Sequence, residues 1–142
     1  MEKIVVALGG NALIGAKDKP SIEIQVKNIQ KFLSYLLPFF RSKNKVVFTF
    51  GNGPQVGNIL IQVESALGKA YSVPLEVAVA ESQGQIGFLL EQELINFFLK
   101  NKIKKPVVSL LTQVLVDKKD SAFKSPSKPI GPFYSKEKAL ML

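Results

Sequence analysis

Two short apolar runs each end in a glycine-containing turn, and this pair of features constrains the fold more than any other part of the sequence. Residues 3–8 read KIVVAL and residues 45–50 read KVVFTF. The first run is apolar at every position after its lysine, which is typical of a strand buried on both faces of a parallel sheet. Gly9-Gly10-Asn11 follows the first run and Gly51-Asn52-Gly53 follows the second. We therefore predict an α/β fold with a mainly parallel sheet.

The chain between these strands predicts one amphipathic helix. Residues 12–20 read as a loop, and Ser21 is a suitable N-cap with Glu23 close to the positive end of the helix dipole. Pro38 is expected to end or kink the helix. Apolar residues recur at helical spacing and form the stripe that packs on the sheet, namely Ile22, Val26, Ile29, Leu33, Leu36 and Leu37.

The remaining pattern predicts two more helices and a third strand. Residues 54–67 carry a helix, and residues 75–99 carry a long helix or a pair broken at Gly84 and Gly87. Residues 106–116, PVVSLLTQVLV, read as a strand that can continue into an edge hairpin. The order β-α-β-α-α-β predicts a parallel sheet covered by helices with right-handed crossovers.

The sequence pattern changes after residue 116. Residues 117–134 contain three of the eight prolines and show neither a helical nor a strand period. From Ser135 onward the sequence SKEKALML reads as the beginning of a helix. The composition therefore predicts a boundary between residues 1–116 and residues 117–142.

Composition removes several kinds of chemistry. The chain has neither Cys nor His, which excludes disulfides, thiol nucleophiles, Cys/His metal sites and His-based catalytic triads. Catalysis would have to use lysines, carboxylates, backbone N–H groups, hydroxyls, amides or a bound ion. The absence of Cys fits the cytoplasm, and no apolar run approaches the length of about 20 residues that spans a bilayer. We expect a cytoplasmic protein without a membrane partner.

The basic excess has more than one interpretation. Lys and Arg number 19 against 11 Asp and Glu, a net charge of +8, and Arg41 is the single arginine. Nucleic-acid readers favour arginine and cluster their charge on one face, whereas these lysines are scattered. A solvated lysine-rich surface is therefore favoured over a nucleic-acid interface. A positive field that attracts a small anionic substrate stays open.

The two glycine turns predict anion binding at one edge of the sheet. The carboxyl edge of a parallel sheet is where ligands bind, and glycine lets consecutive backbone N–H groups approach an anion. The second turn leads directly into a helix, whose N-terminus adds positive charge. Ordinary βα turns are the alternative, because neither turn matches G-x-x-x-x-G-K-[ST] or G-x-G-x-x-G. Lys128, which lies among prolines, can neutralise a transferring phosphoryl group or simply be solvated.

Five strings in this order resemble the N-terminal half of the carbamate kinases, which belong to the amino acid kinase family. They are VALGGNAL, FGNGPQVGN, ESQGQIGF, TQVLVD and KPIGPFY, and they extend from Lys3 to about Tyr134. ALGGNAL alone indicates only the amino acid kinase family, whereas GNGPQVGN together with SQGQIG and KPIGPFY is much more specific to carbamate kinases. The resemblance implies an αβα sandwich in which the N-terminal half binds the phosphate acceptor.

The resemblance also implies an activity and a set of site residues. Carbamate kinases reversibly transfer phosphate between ATP and carbamate, giving ADP and carbamoyl phosphate with Mg²⁺. By this likeness Gly9, Gly10 and Asn11 hold the transferring phosphoryl group, and Gly51, Asn52 and Gly53 hold carbamate. Lys128 supplies positive charge at the active centre. No residue of this half is expected to bind a metal. Residues 1–116 then form the acceptor-binding domain, and residues 117–142 begin a protruding subdomain.

Two departures from the family pattern accompany the resemblance. Phe50 stands where many carbamate kinases have His, which could alter the polarity of the pocket. The chain also ends where the family continues for about another domain, so we expect a truncated enzyme, inactive alone, with an exposed sheet edge. A C-terminal half or a second chain would complete it, and the complete enzyme is expected to be a homodimer. The alternatives are a non-catalytic module that binds anions or pairs with a partner, and another amino acid kinase.

Overall fold

The computed structural model describes residues 2–15, 21–131 and 133–140. The chain divides into two units. The first comprises Met1–Asn52 with Gln83–Leu111, and the second comprises Gly53–Ser82 with Thr112–Leu142. The predicted boundary at residue 116, with an acceptor-binding domain before it and a protruding subdomain after it, stays a prediction.

The sheet of the first unit is formed by β1 (Lys3–Leu8) and β2 (Lys45–Phe50), as the two apolar runs predicted. The strands are parallel and in register from Lys3 opposite Lys45 to Leu8 opposite Phe50. Side chains alternate between the faces. One face, which includes Val6, Leu8, Val46, Phe48 and Phe50, packs in the core of this unit.

The opposite face of the sheet is exposed. Val5 is 64% exposed and Val47 is 48% exposed. The prediction that β1 is buried on both faces is therefore wrong, because the core helices of this unit pack against the alternate residues. An apolar run shows that a strand can be covered on both sides, but a covering element must also be present.

Within the described residues between the strands there are three helices: α1 (Gly10–Leu13), α2 (Ile22–Tyr35) and α3 (Leu37–Arg41). The loop predicted for residues 12–20 is wrong at Ala12 and Leu13, which belong to the helical turn of α1, while residues 16–20 lie outside the described residues. The Asn28 side-chain amide donates to the Leu13 carbonyl at 3.0 Å. This bond ties the turn to α2.

The apolar face predicted for α2 is buried in the middle of the helix and exposed at its first turn. Ile29 and Leu33 are fully buried, whereas Ile22 is 45% exposed because it lies on the first turn, at the end of the helix. The helix ends at Tyr35, and Pro38 lies in the first turn of α3, where its missing N–H is tolerated. The break predicted at Pro38 is confirmed.

A long helix, α5 (Leu75–Lys100), follows α4 (Gly53–Ser65). The long-helix alternative is confirmed, and no break occurs at Gly84 or Gly87. A Cβ on Gly84 would meet nothing within 4 Å, whereas one on Gly87 would lie 3.2 Å from the Ser109 Cβ. The Ser109 hydroxyl donates to the Gly87 carbonyl at 3.1 Å. A close approach therefore occurs at Gly87, with the side chain of Ser109.

The third predicted strand does not form. Residues 103–116 have no strand pairing, and the sheet of the described residues contains β1 and β2 alone. The segment is attached at its start, where the Lys105 ammonium donates to the Ser42 and Asn44 carbonyls, each at 2.8 Å. A strand requires a neighbouring ladder, which no local apolar pattern can supply. Leu110 and Leu115 are instead largely exposed.

The second unit has a small core formed by Val56, Ile59 and Ala78, with Leu60 and Val63 packed against it. After a short 3₁₀ turn (Ser121–Phe123), the chain ends its described part in α6 (Lys136–Ala139). Ser135 caps α6 by accepting from the Lys138 N–H, which confirms the predicted helix start. Among the described helices of both units, none combines the length and hydropathy needed to cross a bilayer.

Candidate functional site

The parallel register places the two glycine turns at the same edge of the sheet. Leu8 and Phe50, the last residues of β1 and β2, are directly opposite each other. The Gly51 N–H donates to the Leu8 carbonyl at 3.3 Å, which continues the pairing by one residue into the second turn. Gly9-Gly10-Asn11 and Gly51-Asn52 therefore leave the sheet as neighbours, at its carboxyl edge.

The glycines at this edge are not required by the packing of the chain. A Cβ built on Gly9, Gly51 or Gly53 would meet no atom within 4 Å, and none of the three has a positive φ. Gly9 has a φ of −65° and a ψ of 164°, which any residue can adopt. The space beside these residues is open, and the backbone there is accessible from that side.

Each turn continues into helical backbone. Gly9 caps α1, the Ala12 N–H donates to the Gly9 carbonyl at 2.8 Å, and Gly10 and Asn11 lie in the first turn. Asn52 directly precedes α4, which begins at Gly53 in the second unit. The first N–H groups of a helix have no carbonyl acceptor within it. Backbone donors are thus concentrated just after both strands.

Phe50 belongs to the covered face of the sheet. Its ring is half-buried and packs against the core of the first unit. An apolar side chain at this position contributes to the packing beneath the edge. Its predicted effect on the polarity of the pocket stays a prediction.

Lys128 lies in the second unit, between the 3₁₀ turn and α6, and its side chain is exposed. We define Lys128–Tyr134 as the 128–134 segment, of which all residues except Pro132 are described. Gly131 has a φ of +90°, a conformation that favours glycine. The segment therefore turns sharply a short distance after Lys128.

Two contacts that the sequence did not reveal attach this segment to α4. A Cβ on Gly57 would lie 3.4 Å from the Gly131 Cα, so the two backbones approach closely at a pair of glycines. The Tyr134 hydroxyl donates a hydrogen bond to the Glu64 carboxylate. KPIGPFY contains Gly131 and Tyr134, but nothing in its pattern identifies Gly57 or Glu64 as their partners.

Tyr134 has an altered acidity because of this contact. The hydrogen bond to Glu64 is the main cause that raises the pKa of Tyr134 to about 12, with smaller contributions from desolvation and from the carboxylate charge. The Lys138 ammonium lies 4.6 Å from the centre of the Tyr134 ring. The hydroxyl therefore keeps its proton, and its hydrogen bond, well above neutral pH.

The described residues contain no cluster of carboxylates that could bind a metal ion. Within the described residues, no group of three or more Asp or Glu side chains is placed to hold a metal ion. The site residues that the sequence predicted thus offer backbone donors, amides and one lysine. This set fits the oxygens of small anions better than it fits a bare cation.

Known proteins resemble the chain in both sequence and fold, although no family model matches it. A carbamate kinase from Thermococcus kodakarensis is 41% identical over 100% of this chain, and one from Trichomonas vaginalis is 47% identical over 99%. The structure of a Giardia lamblia carbamate kinase bound to AMP-PNP covers 98% of this chain with a TM-score of 0.89 at 42% identity.

The chain aligns with the N-terminal half of these carbamate kinases. It spans about half the length of the relatives that it matches, 46% of the Thermococcus protein and 44% of the Giardia chain. The α/β class with a parallel sheet, expected from the order of elements, and the amino acid kinase fold, implied by the five sequence strings, are confirmed by this match.

Proposed function

We propose that this chain is the acceptor-binding half of a carbamate kinase, which transfers a phosphoryl group reversibly between ATP and carbamate to give ADP and carbamoyl phosphate. The observation that carries the proposal is the pair of open glycine turns, joined at one sheet edge by the hydrogen bond from Gly51 to Leu8. Glycines that neither packing nor backbone conformation requires are best explained by a ligand that approaches the main chain.

We assign the site residues as the family resemblance implies. Gly9, Gly10 and Asn11 hold the transferring phosphoryl group, and Gly51, Asn52 and Gly53 hold carbamate. The open space beside Gly9, Gly51 and Gly53 supports this assignment. Lys128 neutralises charge on the phosphoryl group during transfer. Two adjacent cradles for oxygen atoms suit a donor group and an acceptor that must be held in line.

The proposed chemistry suits a set of residues that contains neither His nor Cys. Carbamate is itself a nucleophile, so no side chain has to form a covalent intermediate. The protein contributes position and charge stabilisation, for which backbone N–H groups and one ammonium are adequate. His and Cys are not needed in such a mechanism, and the chain contains neither.

The proposed cofactor is Mg²⁺ bound with ATP or ADP. When bound, the ion would neutralise charge on the nucleotide phosphates. Within the described residues, no group of three or more Asp or Glu side chains could hold the ion. We assign nucleotide and metal binding to residues outside this chain. The partner that would supply them is a C-terminal half, and the complete enzyme would be a homodimer.

The test is formation of ATP from ADP and carbamoyl phosphate, measured with this chain alone and after addition of the C-terminal half of the Trichomonas relative. We expect activity only in the mixture, because the chain covers 45% of that relative. The matched control is the C-terminal half alone. A mixture no more active than this control would contradict the proposal.

A second candidate is a non-catalytic module that binds small anions or pairs with a partner chain. The open backbone at the two glycine turns favours it, because such a module would bind small anions there without transferring a phosphoryl group. Calorimetric titration of the chain with carbamoyl phosphate separates the two candidates when it is combined with the assay. Binding without activity in the mixture supports the module.

A further inference from the structure

The 128–134 segment touches α4 at two points that lie on one side of the helix. At the first point, the Gly131 Cα and N would be 3.4 and 3.7 Å from a Cβ on Gly57. A side chain larger than a methyl group at Gly57 has no room in the direction of Gly131. The positive φ of Gly131 makes this turn available to glycine and strained for other residues.

The second point is the hydrogen bond from Tyr134 to Glu64. Glu64 follows Gly57 by about two helical turns, or about 10 Å along α4, so the two residues share a helix face. One contact is steric and leaves no room for a side chain larger than a methyl group at Gly57, whereas the other is polar and directional. Together they fix both the distance and the orientation of the segment relative to α4.

Lys128 belongs to the segment that these two contacts hold against α4. Pro129 follows Lys128 directly and fixes one backbone dihedral, and Gly131 comes soon after. The Lys128 side chain is exposed, so its position depends on the backbone beneath it. A lysine is effective at a transferring phosphoryl group only if its ammonium is held near the developing charge.

We propose that Gly57, Glu64 and Tyr134 are positioning residues that hold the 128–134 segment on α4 and thereby fix the backbone that carries Lys128. The catalytic consequence rests on the proposed function, whereas the attachment of the segment does not. Three measurements test the two parts separately.

The first measurement is amide hydrogen exchange of the segment in the chain itself. Tyr134→Phe removes the hydrogen bond, Glu64→Gln weakens it by replacing the charged acceptor with a neutral one, and Gly57→Val introduces a clash with Gly131. We expect each variant to give about tenfold faster exchange between Ile130 and Tyr134. The matched controls are Glu91→Gln, Tyr71→Phe and Gly84→Val, which lie on α5 or in the loop before it. Equal exchange in variants and controls would overturn the attachment. If Gly57→Val does not fold, the two polar variants decide.

The second measurement is a spectroscopic titration of tyrosinate, which is free of tryptophan absorbance because the chain has none. The groups that face the Tyr134 hydroxyl and ring are Glu64 from α4 and Lys138 from α6. We expect a step at a pH of about 12 that Tyr134→Phe removes and Glu64→Gln moves to lower pH. If Glu64→Gln left the pH of this step unchanged, the hydrogen bond between Tyr134 and Glu64 would not form in solution.

The third measurement is a double-mutant cycle in the active mixture of the two halves. We expect Glu64→Gln to lower kcat about tenfold with little change in KM, and to have no further effect in a Lys128→Ala background. A merely structural role would lower kcat equally in both backgrounds, which would overturn the positioning role. An inactive mixture, or an inert Lys128→Ala, would contradict the proposed function while exchange and titration still decide the attachment.

Discussion

Gly51 shows most directly how a single residue can be tested for a ligand-binding role. Its Cβ would meet nothing within 4 Å, and its φ is not positive. Gly51→Ala should therefore change the free energy of unfolding by less than about 0.5 kcal/mol. The added methyl group would occupy the space assigned to carbamate. We expect thermal unfolding to be nearly unchanged and activity in the mixture of halves to fall at least about tenfold.

The control for Gly51→Ala is Gly84→Ala, in the middle of α5, where a Cβ also meets nothing within 4 Å. There, alanine should stabilise the helix by up to about 1 kcal/mol, and activity should persist. If Gly51→Ala retained full activity, the open space beside this turn would not be the acceptor site.

Lys128 is the other residue whose role can be isolated. Because the side chain is exposed, Lys128→Ala should leave the fold intact. Loss of a positive charge at the transferring group should lower turnover about 100-fold in the mixture of halves. Lys124→Ala, an exposed lysine of the same region, is the control. Equal turnover of the two variants would show that Lys128 is a solvated surface charge.

At the scale of elements, α2 depends on its N-cap. The Ser21 hydroxyl accepts from the Ile24 N–H at 3.2 Å. The helix N-terminus also lowers the pKa of Glu23, through backbone and Ser21 hydrogen bonds. This carboxylate thus contributes stability that is present above its usual pKa of 4.5 and is lost as the pH falls through its lowered value in the folded state.

Ser21→Ala should destabilise the chain by about 1 kcal/mol because it leaves a first-turn N–H without its side-chain acceptor. Urea unfolding at neutral pH measures this change. Ser34→Ala is the control, since the Ser34 hydroxyl donates to the Lys31 carbonyl within the same helix and is exposed. If the urea midpoint of Ser21→Ala equalled that of Ser34→Ala, the Ser21 cap would not contribute to the free energy of unfolding.

At the scale of the whole molecule, apolar surface remains uncovered. Val5 and Val47 are exposed on one face of the sheet, and Val108, Leu110, Val114 and Leu115 are exposed along the unpaired segment. Exposed strand faces and edges are sites of association. This surface is consistent with a chain that covers about half of each relative.

We therefore expect the chain alone to self-associate as its concentration rises. The double variant Val5→Thr/Val47→Thr removes apolar surface from the exposed face while keeping β-branched residues in the strands. It should shift the association to higher concentration in sedimentation velocity experiments. Ile61→Thr, at an exposed position of α4, is the control. A wild-type chain that stays monomeric throughout would contradict the expectation.

Sequence patterns predicted part of the geometry of the candidate site. The glycine turns could be placed at one edge because two apolar runs predicted neighbouring parallel strands, and the observed register places Leu8 opposite Phe50. Lys128 could be singled out only by its proline-rich surroundings and by the family resemblance. Its attachment through Glu64 could not be predicted, because a hydrogen bond between residues 70 positions apart leaves no local pattern.

The sequence alone determined the elements whose causes are local. The Ser21 cap, the break before Pro38 and the start of α6 each depend on interactions within a few residues. Tertiary structure alone decided which sheet face is covered, that residues 106–116 remain unpaired, and that Gly57 meets Gly131. Each of these outcomes depends on which distant segment is present to supply the other surface, and a local pattern carries no such information.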